Sequence, residues 1–272
     1  EVSFGLFADS QYCDCDSRGS RFYRNSANKI KECIDTFNLQ DDLEFVAGLG
    51  DLIDRDFSSF NFINKILSNS KHKIYHVIGN HDYEIDKNRV KHVAGKLGIS
   101  SEYYSFNKKG WKFIFLNGND ISFNSPDHNK VLKAGELTLK IKEEKGPNHY
   151  EWNGGIGDKQ LKWLERQLKQ AKRKRLKVIL LCHYPLVPLD AHTLWNHDDV
   201  LKILYKYNNV KLWINGHNHT GDYRQQNSIH FVTLKGMVET EKENAYARIT
   251  LTDSFIKITG YGREETRELP LN

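Results

Sequence analysis

The sequence is poor in cysteine, methionine and proline, and it has no long apolar run. Its 272 residues include 4 cysteines, 1 methionine and 5 prolines. No stretch reaches the roughly 18 consecutive apolar residues that cross a bilayer, so no transmembrane helix is expected. Cysteine usage this sparse does not suit the disulfide framework of a small secreted protein, and the Cys13-x-Cys15 pair lacks zinc-ribbon spacing. Free or partly buried thiols are therefore expected.

A strong charge of either sign is also missing. The net charge is +5, which favours anionic ligands slightly and does not indicate a nucleic-acid partner. The one dense basic run, 169–177, ends a helical pattern, where cations suit the negative end of the helix dipole. The chain begins at Glu1 directly before an apolar run, so we expect that an upstream segment, such as a signal peptide, has been removed. A soluble protein is expected, and cytoplasmic and exported locations both stay open, as does the oligomeric state.

Apolar runs rich in β-branched and aromatic residues recur along the chain and predict strands. Six are nearly continuous, as in strands covered on both faces: 2–8, 43–50, 73–79, 111–117, 177–183 and 210–216. Helical spacing lies between several of them, at 25–37, 158–173 and 198–207. Near the C-terminus three alternating runs, separated by turn residues, predict antiparallel strands or hairpins. The pattern predicts a layered α/β protein with mixed sheets, as one domain over 1–272.

Residues 118–157 are the least regular part of the sequence. They contain Gly, Asn, Pro and Asp but few apolar runs. A loop of that length in a compact domain is often a lid or a substrate-facing insertion. A plain surface excursion is the equal alternative.

Polar side chains follow five of the predicted strands, at the ends where α/β sheets bind ligands. Residues two apart on an extended segment point the same way, so Asp9 with Gln11, and His217 with His219, can reach a common point. Glycines at several strand ends let the backbone approach closely. Each piece alone is commonly a structural turn or a core histidine, but their order indicates one site. The set comprises Asp9, Gln11, Asp51, Asp54, Asn80, His81, Asp82, His183, His217 and His219.

These side chains mix carboxylates, amides and imidazoles, which suits Mn²⁺, Fe or Zn²⁺, and the oxygen content favours Mn²⁺. Their number exceeds the protein share of one ion, so two divalent ions bridged by a carboxylate fit better. Two ions about 3.5–4 Å apart hold a phosphate and lower the pKa of a bridging water. The sequence therefore predicts a dinuclear site for phosphoryl chemistry.

The ordered motifs D-x-Q, GDxxDR, GNHD, H and GHxH resemble the calcineurin-like metallophosphoesterase superfamily. Within it, the chain most resembles the manganese-dependent ADP-ribose/CDP-alcohol diphosphatases. The particular signs are Gln11 where the superfamily usually has His, and the segments 153–168, 194–201, 233–240 and 258–269. The resemblance implies two mixed β-sheets packed face to face, with helices outside.

The resemblance also implies a role for each site residue. Asp9, Gln11 and His219 would hold the first ion, while the second would be held by Asn80, His183 and His217. Asp51 would bridge both ions and position a metal-bridging hydroxide. His81 would stabilise the attacked phosphate or protonate the leaving oxygen. Asp54 and Asp82 would orient the imidazoles.

The implied activity is hydrolysis of the phosphoanhydride in a nucleoside diphosphate derivative such as ADP-ribose or a CDP-choline-like compound. A phosphodiesterase or phosphomonoesterase with the same core, for example one acting on a cyclic nucleotide, is the alternative, because loops rather than the metal site set specificity. A non-catalytic scaffold is the remote alternative. The loop after Gln11 is shorter than in animal members of the family, so nucleoside-binding residues are not transferred. Phe22, Tyr23 and Trp195 could stack on a base, although core packing is the commoner fate of such residues.

Overall fold

The structure, a computed structural model, describes residues 1–271, and twelve strands in that range form two six-stranded sheets. The first has the order β12-β11-β10-β1-β2-β3, with bounds Arg267–Pro270, Phe255–Gly262, Ala245–Leu251, Val2–Phe7, Leu43–Gly48 and Ile74–His76. The second has the order β4-β5-β6-β7-β9-β8, with bounds Tyr104–Lys108, Trp111–Phe115, Lys177–Leu181, Val210–Asn215, Ile229–Thr233 and Asp222–Gln226. The predicted α/β class with two mixed sheets is confirmed.

Each sheet combines parallel and antiparallel strands. In the first sheet β1, β2 and β3 run parallel, and β10 continues the sheet antiparallel to β1. In the second sheet β5, β6, β7 and β9 run parallel, with β4 and β8 antiparallel at the edges. Because parallel strands share their carboxyl ends at one edge, the residues after β1 and β2, and those after β6 and β7, gather at one end of each sheet.

The core between the sheets explains the nearly continuous apolar runs. Phe4 and Phe45 of the first sheet stack at 4.8 Å, and Phe45 meets Phe113 of the second sheet edge-on at 5.1 Å. The opposite faces of the same strands pack against helices, so both faces must be apolar. Phe7, for example, lies in a cluster with Phe37 of the first helix.

Eight helices are described, and several of them pack on the outer faces of the sheets. Their bounds are Ser26–Asn38 (α1), Ser59–Leu67 (α2), Asn80–Tyr83 (α3), Lys87–Val90 (α4), Val93–Lys96 (α5), His128–Glu143 (α6), Asp158–Arg173 (α7) and His197–Leu204 (α8). Among residues 1–271, none of them combines the length and apolar character that a membrane span requires.

The prediction that 118–157 is irregular is wrong for its middle part, which forms the 16-residue helix α6. The helix begins where the Asp127 carboxylate accepts a hydrogen bond from the backbone N–H of Asn129 at 2.9 Å. Its apolar face is narrow and contacts a small cluster with Ile121 and Trp195. A helix that buries so few apolar side chains leaves little periodicity in the sequence.

One further expectation is corrected. Cys13 and Cys15 are joined by a disulfide rather than left as thiols, whereas Cys33 and Cys182 are free and buried. The antiparallel pairing predicted for the three C-terminal runs is confirmed, because β9 pairs antiparallel with β8 and β10 pairs antiparallel with β11. The other edge of β9 pairs parallel with β7.

Candidate metal centre

The predicted residues converge where the loops after β1, β2, β6 and β7 meet helix α3. All of their side chains are polar, yet most of them are buried. The buried set comprises Asp9, Gln11, Asp51, Asn80, His81, Asp82, His183 and His217. Buried polar groups in this number need hydrogen-bond or charge partners, and most of them find those partners in one another.

Left-handed backbone conformations concentrate at this site. Asp9, Gln11, Asp51 and His217 have φ angles of 52°, 42°, 53° and 69°. Residues other than glycine rarely adopt such angles, and they cluster at functional sites where the surrounding structure enforces them. The backbone is therefore turned to present these four side chains to one point.

Two glycines permit the close approach that this turn requires. A Cβ atom added to Gly79 would overlap the Asp51 side chain, and one added to Gly216 would overlap the Asp9 carboxylate. The glycines predicted at these strand ends thus make room for the carboxylates rather than merely ending strands.

Three histidines each point one ring nitrogen inward because the other nitrogen is bonded to an acceptor. Nδ1 of His183 donates to the carbonyl oxygen of Leu49 at 2.8 Å, and Nε2 of His217 donates to Oδ1 of Asn153 at 2.9 Å. Nδ1 of His219 donates to the Glu239 carboxylate at 2.7 Å. Each acceptor fixes the tautomer of the neutral ring, in which the remaining nitrogen offers a lone pair, as a metal ligand must.

The two carboxylates at the centre lie among these inward nitrogens. Oδ2 of Asp51 is 3.3 Å from Nε2 of His183, which is also 3.2 Å from Oδ1 of Asn80. Oδ1 of Asp9 is 3.5 Å from Nε2 of His219 and 4.0 Å from Nε2 of His183. Asp51 contacts both His183 and Gln11, which the family resemblance assigns to different ions.

Gln11 reaches the centre with its amide nitrogen inward. Nε2 of Gln11 donates to Oδ2 of Asp51 at 3.1 Å and lies 3.2 Å from Nε2 of His219. Its Oε1 accepts a hydrogen bond from Arg21 at 3.3 Å. A half-turn of the amide group keeps its shape and presents the oxygen instead. The ligand role predicted for Gln11 requires that half-turn.

His81 is held beside the centre from its far side. Its Nδ1 lies 2.7 Å from Oδ1 of Asp54, and its Nε2 lies 3.9 Å from Oδ2 of Asp51. Asp54 therefore contacts an imidazole as predicted. Asp82 does not, because its carboxylate accepts hydrogen bonds from four backbone N–H groups, those of Asp51, Leu52, Ile53 and Gly79. Asp82 therefore holds the loop that carries Asp51 and does not orient an imidazole ring.

Burial and charge shift the pKa values of these groups in opposite directions. Burial opposes ionisation of Asp51, but the charges of His183 and His81 outweigh it and hold its pKa below the ordinary value. For His183, burial favours the neutral ring, yet the charge of Asp51 raises its pKa to about 9. For His219, burial is outweighed by hydrogen bonding to Asp9 and Glu239, and its pKa is also raised to about 9. The carboxylates thus attract positive charge to this point.

A cavity of about 210 Å³ opens from the centre to the surface. Besides predicted residues, it is lined by Arg21, Arg55, Glu84, Trp152 and His192. Nε of Arg55 lies 2.6 Å from the Glu84 carboxylate, which fixes this guanidinium at the cavity wall. The cavity therefore combines acidic and imidazole groups at its floor with two guanidinium groups near its mouth.

Several residues of the site were not predicted from the sequence, above all Asn153, Trp152 and Glu239. Asn153 and Glu239 lie within segments 153–168 and 233–240, which carry the family resemblance, but the motifs predicted no role for either residue. Loops carry both residues, and only the tertiary structure brings those loops to the histidines. Of the suggested stacking residues, Tyr23 and Trp195 are buried in clusters away from the cavity lining.

The donor set fits divalent metal ions. Asp51, His183 and His217 each offer one ligand atom, and the three atoms lie within 4.8 Å of one another. The mixture of carboxylate oxygen, imidazole nitrogen and amide groups suits Mn²⁺, Fe or Zn²⁺. The outward hydrogen bonds of all three histidines are those that metal-ligating imidazoles make.

Comparisons with known proteins agree with this geometry. The calcineurin-like phosphoesterase family pattern matches residues 3–221, a range that includes every predicted site residue. A manganese-dependent ADP-ribose/CDP-alcohol diphosphatase of Arabidopsis thaliana is 29% identical, over 98% of this chain and 96% of its own length. The protein of that name in Oryza sativa subsp. japonica is 31% identical, over 87% of this chain and 84% of its own. The crystal structure of a dimetal phosphatase from Danio rerio superposes with a TM-score of 0.88 at 24% identity and covers 100% of this chain and 99% of that one, which shows the shared fold.

Proposed function

Because the chain belongs to the calcineurin-like phosphoesterase family, we propose that it is a manganese-dependent phosphohydrolase of nucleoside diphosphate derivatives. The bond cleaved is the phosphoanhydride of compounds such as ADP-ribose and CDP-choline. The observation that carries this proposal is the convergence of Asp51 with inward-facing His183 and His217 at the floor of a cavity bordered by two arginines. The names of the Arabidopsis and rice relatives support manganese and this substrate class.

Two Mn²⁺ ions would be shared among seven residues. Asp9, Gln11 and His219 would hold one ion, and Asn80, His183 and His217 the other, with Asp51 between them. When bound, such a pair polarises the phosphoryl oxygens and lowers the pKa of the attacking water. The site also lacks a thiolate among these residues, which agrees with a hard, oxygen-rich ligand set.

His81 would supply the proton that the leaving oxygen needs. Its Nδ1 faces Asp54 at 2.7 Å, so its Nε2 is the nitrogen available to the cavity. Asp51, Asp54 and Glu84 favour the protonated ring and outweigh burial, so the pKa of His81 is raised. A carboxylate that favours the protonated form of the ring allows it to donate a proton in the transition state.

The arginines at the cavity would hold the negative charge of the diphosphate. Arg21 is partly exposed and donates to Gln11, and Arg55 is fixed by Glu84. Guanidinium groups pair with phosphate oxygens through two parallel hydrogen bonds. The carboxylates lie at the floor of the cavity, whereas these two arginines bring positive charge to its mouth, which favours an anionic substrate.

A hydrolysis panel tests this proposal. The purified protein with Mn²⁺ is offered ADP-ribose, CDP-choline, a cyclic nucleotide and an aryl monophosphate at equal concentration. We expect the two anhydrides to give kcat/KM values at least about tenfold above the others, a difference of about 1.4 kcal/mol in transition-state binding. If the protein prefers the cyclic nucleotide or the monophosphate, its substrate is a phosphate ester and not an anhydride. Absence of hydrolysis for all four would contradict the proposal.

A further inference from the structure

Three aromatic rings form an exposed stack at the mouth of the cavity. The indole of Trp152 lies 4.1 Å from the ring of Tyr150 at an interplanar angle of 12°, and Tyr150 lies 4.7 Å from the ring of His149. Trp152 lines the cavity together with Asp51 and His217, yet it is 41% exposed. Tyr150 stacks on the indole, and no other aromatic ring of residues 1–271 does, so the stack ends at Trp152 in the wall of the cavity.

The backbone of this stack is fixed by hydrogen bonds rather than left mobile. Nε1 of Trp195 donates to the carbonyl oxygen of Tyr150 at 3.1 Å, and the hydroxyl of Tyr184 donates to that of Trp152 at 3.4 Å. The next residue, Asn153, accepts from His217 and donates to the carbonyl oxygen of Ala191 at 2.8 Å. Trp152 is therefore tied to the centre through its neighbour, and a ligand that contacts it does not need to order a loop first.

The size of the cavity decides which part of a substrate reaches this face. At about 210 Å³ the cavity is smaller than the 300–1,000 Å³ typical of pockets that enclose a drug-sized ligand. The diphosphate fits at the floor, where the charged groups lie, and the nucleoside must extend to the mouth. An exposed indole at that mouth meets the base.

We propose that Trp152, supported by Tyr150 and His149, is the stacking platform for the nucleobase of the substrate. The inference rests on the proposed function, since it takes the substrate to be a nucleoside diphosphate derivative. An aromatic face stacks on every base because each base has a π-face, and it reads no hydrogen-bond pattern. Such a platform accepts adenine and cytosine alike, the two bases of the proposed substrates.

Two ligands that differ only in the base test this inference without relying on catalysis. AMP and ribose 5-phosphate are titrated by calorimetry into the Mn²⁺-loaded protein and into its Trp152→Ala and Trp152→Phe variants. Loss of stacking on an aromatic side chain weakens the affinity for a base by about fivefold to 150-fold. We expect Trp152→Ala to weaken the affinity for AMP by at least fivefold and the affinity for ribose 5-phosphate by less than twofold. Trp152→Phe, which keeps a ring, retains part of the preference for AMP.

Leu139→Ala is the matched control, because Leu139 is another exposed large apolar residue, on α6, and does not line the cavity. It should bind both ligands as the wild type does, and melting curves show that all variants are folded. Equal weakening of AMP and ribose 5-phosphate by Trp152→Ala, or no weakening of either, would overturn the inference. Hydrolysis of ADP-ribose by the wild type is measured in parallel. If the wild type binds AMP through Trp152 but does not hydrolyse ADP-ribose, the proposed function is contradicted and the stacking site is not.

Discussion

The carboxylate of Glu239 accepts a hydrogen bond from Nδ1 of His219 at 2.7 Å and so points Nε2 of that ring towards Asp9. The hydrogen bond with His219 lowers the pKa of Glu239 to about 2, so the carboxylate stays ionised at any working pH. Two cations hold the loop that carries Glu239: Lys29 donates to its carbonyl oxygen at 2.8 Å and Arg263 to that of Gly236. A partner this firmly placed determines how His219 faces the centre.

Removing this partner should weaken metal binding without removing a ligand. Glu239→Ala frees the ring of His219, and loss of such a carboxylate–histidine contact lowers metal affinity by about 10-fold to 100-fold. Mn²⁺ titration by calorimetry measures the change. Glu239→Gln keeps an acceptor oxygen and should recover part of the affinity, and Glu241→Ala, at an exposed position two residues away, should change nothing. Wild-type affinity in Glu239→Ala would show that the contact does not orient a ligand.

Asp82 should contribute to the stability of the fold rather than to catalysis. Replacement by Asn exchanges one acceptor oxygen for an NH₂ group, which leaves two of the four buried backbone N–H groups facing a donor. Each unsatisfied buried group costs about 1–3 kcal/mol. Urea denaturation of Asp82→Asn should therefore show a loss of about 2–6 kcal/mol in the free energy of unfolding. An unchanged midpoint would mean that the Asp51 loop holds its shape without Asp82.

His81 should contribute to the rate and not to metal binding. Loss of a general acid costs about 10²-fold to 10⁴-fold in kcat. His81→Ala should show such a loss on ADP-ribose while binding Mn²⁺ as the wild type does. The loss should be smaller for an aryl phosphodiester with a nitrophenol leaving group, which needs less protonation. His92→Ala, at an exposed position, is the control. Reduced Mn²⁺ binding in His81→Ala would make His81 a ligand instead of an acid.

The stability of the fold should fall in mild acid because of His76. This ring is buried, and desolvation lowers its pKa from 6.5 to about 4. Between those values the unfolded chain binds a proton that the folded chain does not, so folding free energy is lost as the pH falls from 6.5 to 4. The shift corresponds to about 3 kcal/mol.

Unfolding of the metal-free protein at pH 7 and pH 4.5 measures this loss. His76→Gln has no ring to titrate, so its stability should depend less on pH over that interval by roughly 2 kcal/mol. Identical pH dependence in the variant and the wild type would show that His76 is not the group responsible.

The fold was predictable where burial leaves a strong pattern. Both faces are covered in β1, β2, β5, β6 and β7, and β1 buries all six of its residues. No residue of the edge strands β4 and β8 is fully buried, and neither strand carries such a run, so neither was predicted. Helix α6 was missed for the same reason, since it buries only Ala134 and Thr138.

The candidate site was predictable because its residues follow strands. The strand ends carry Asp9, Asp51, His183 and His217 to one place by the geometry of parallel sheets. Glu239 could not be placed in this way, because its loop meets His219 through long-range contacts with Lys29 and Arg263. The exposed face of Trp152 likewise depends on the stack with Tyr150, which no periodicity reports.

Anomalous scattering from a crystal of the protein grown with Mn²⁺ shows whether the centre holds two metal ions. We predict two Mn²⁺ peaks, about 3.5–4 Å apart, on either side of the Asp51 carboxylate. One peak lies within ligand distance of Asp9 and His219, and the other within ligand distance of His183 and His217. A single peak, or none at this place, would contradict a dinuclear centre.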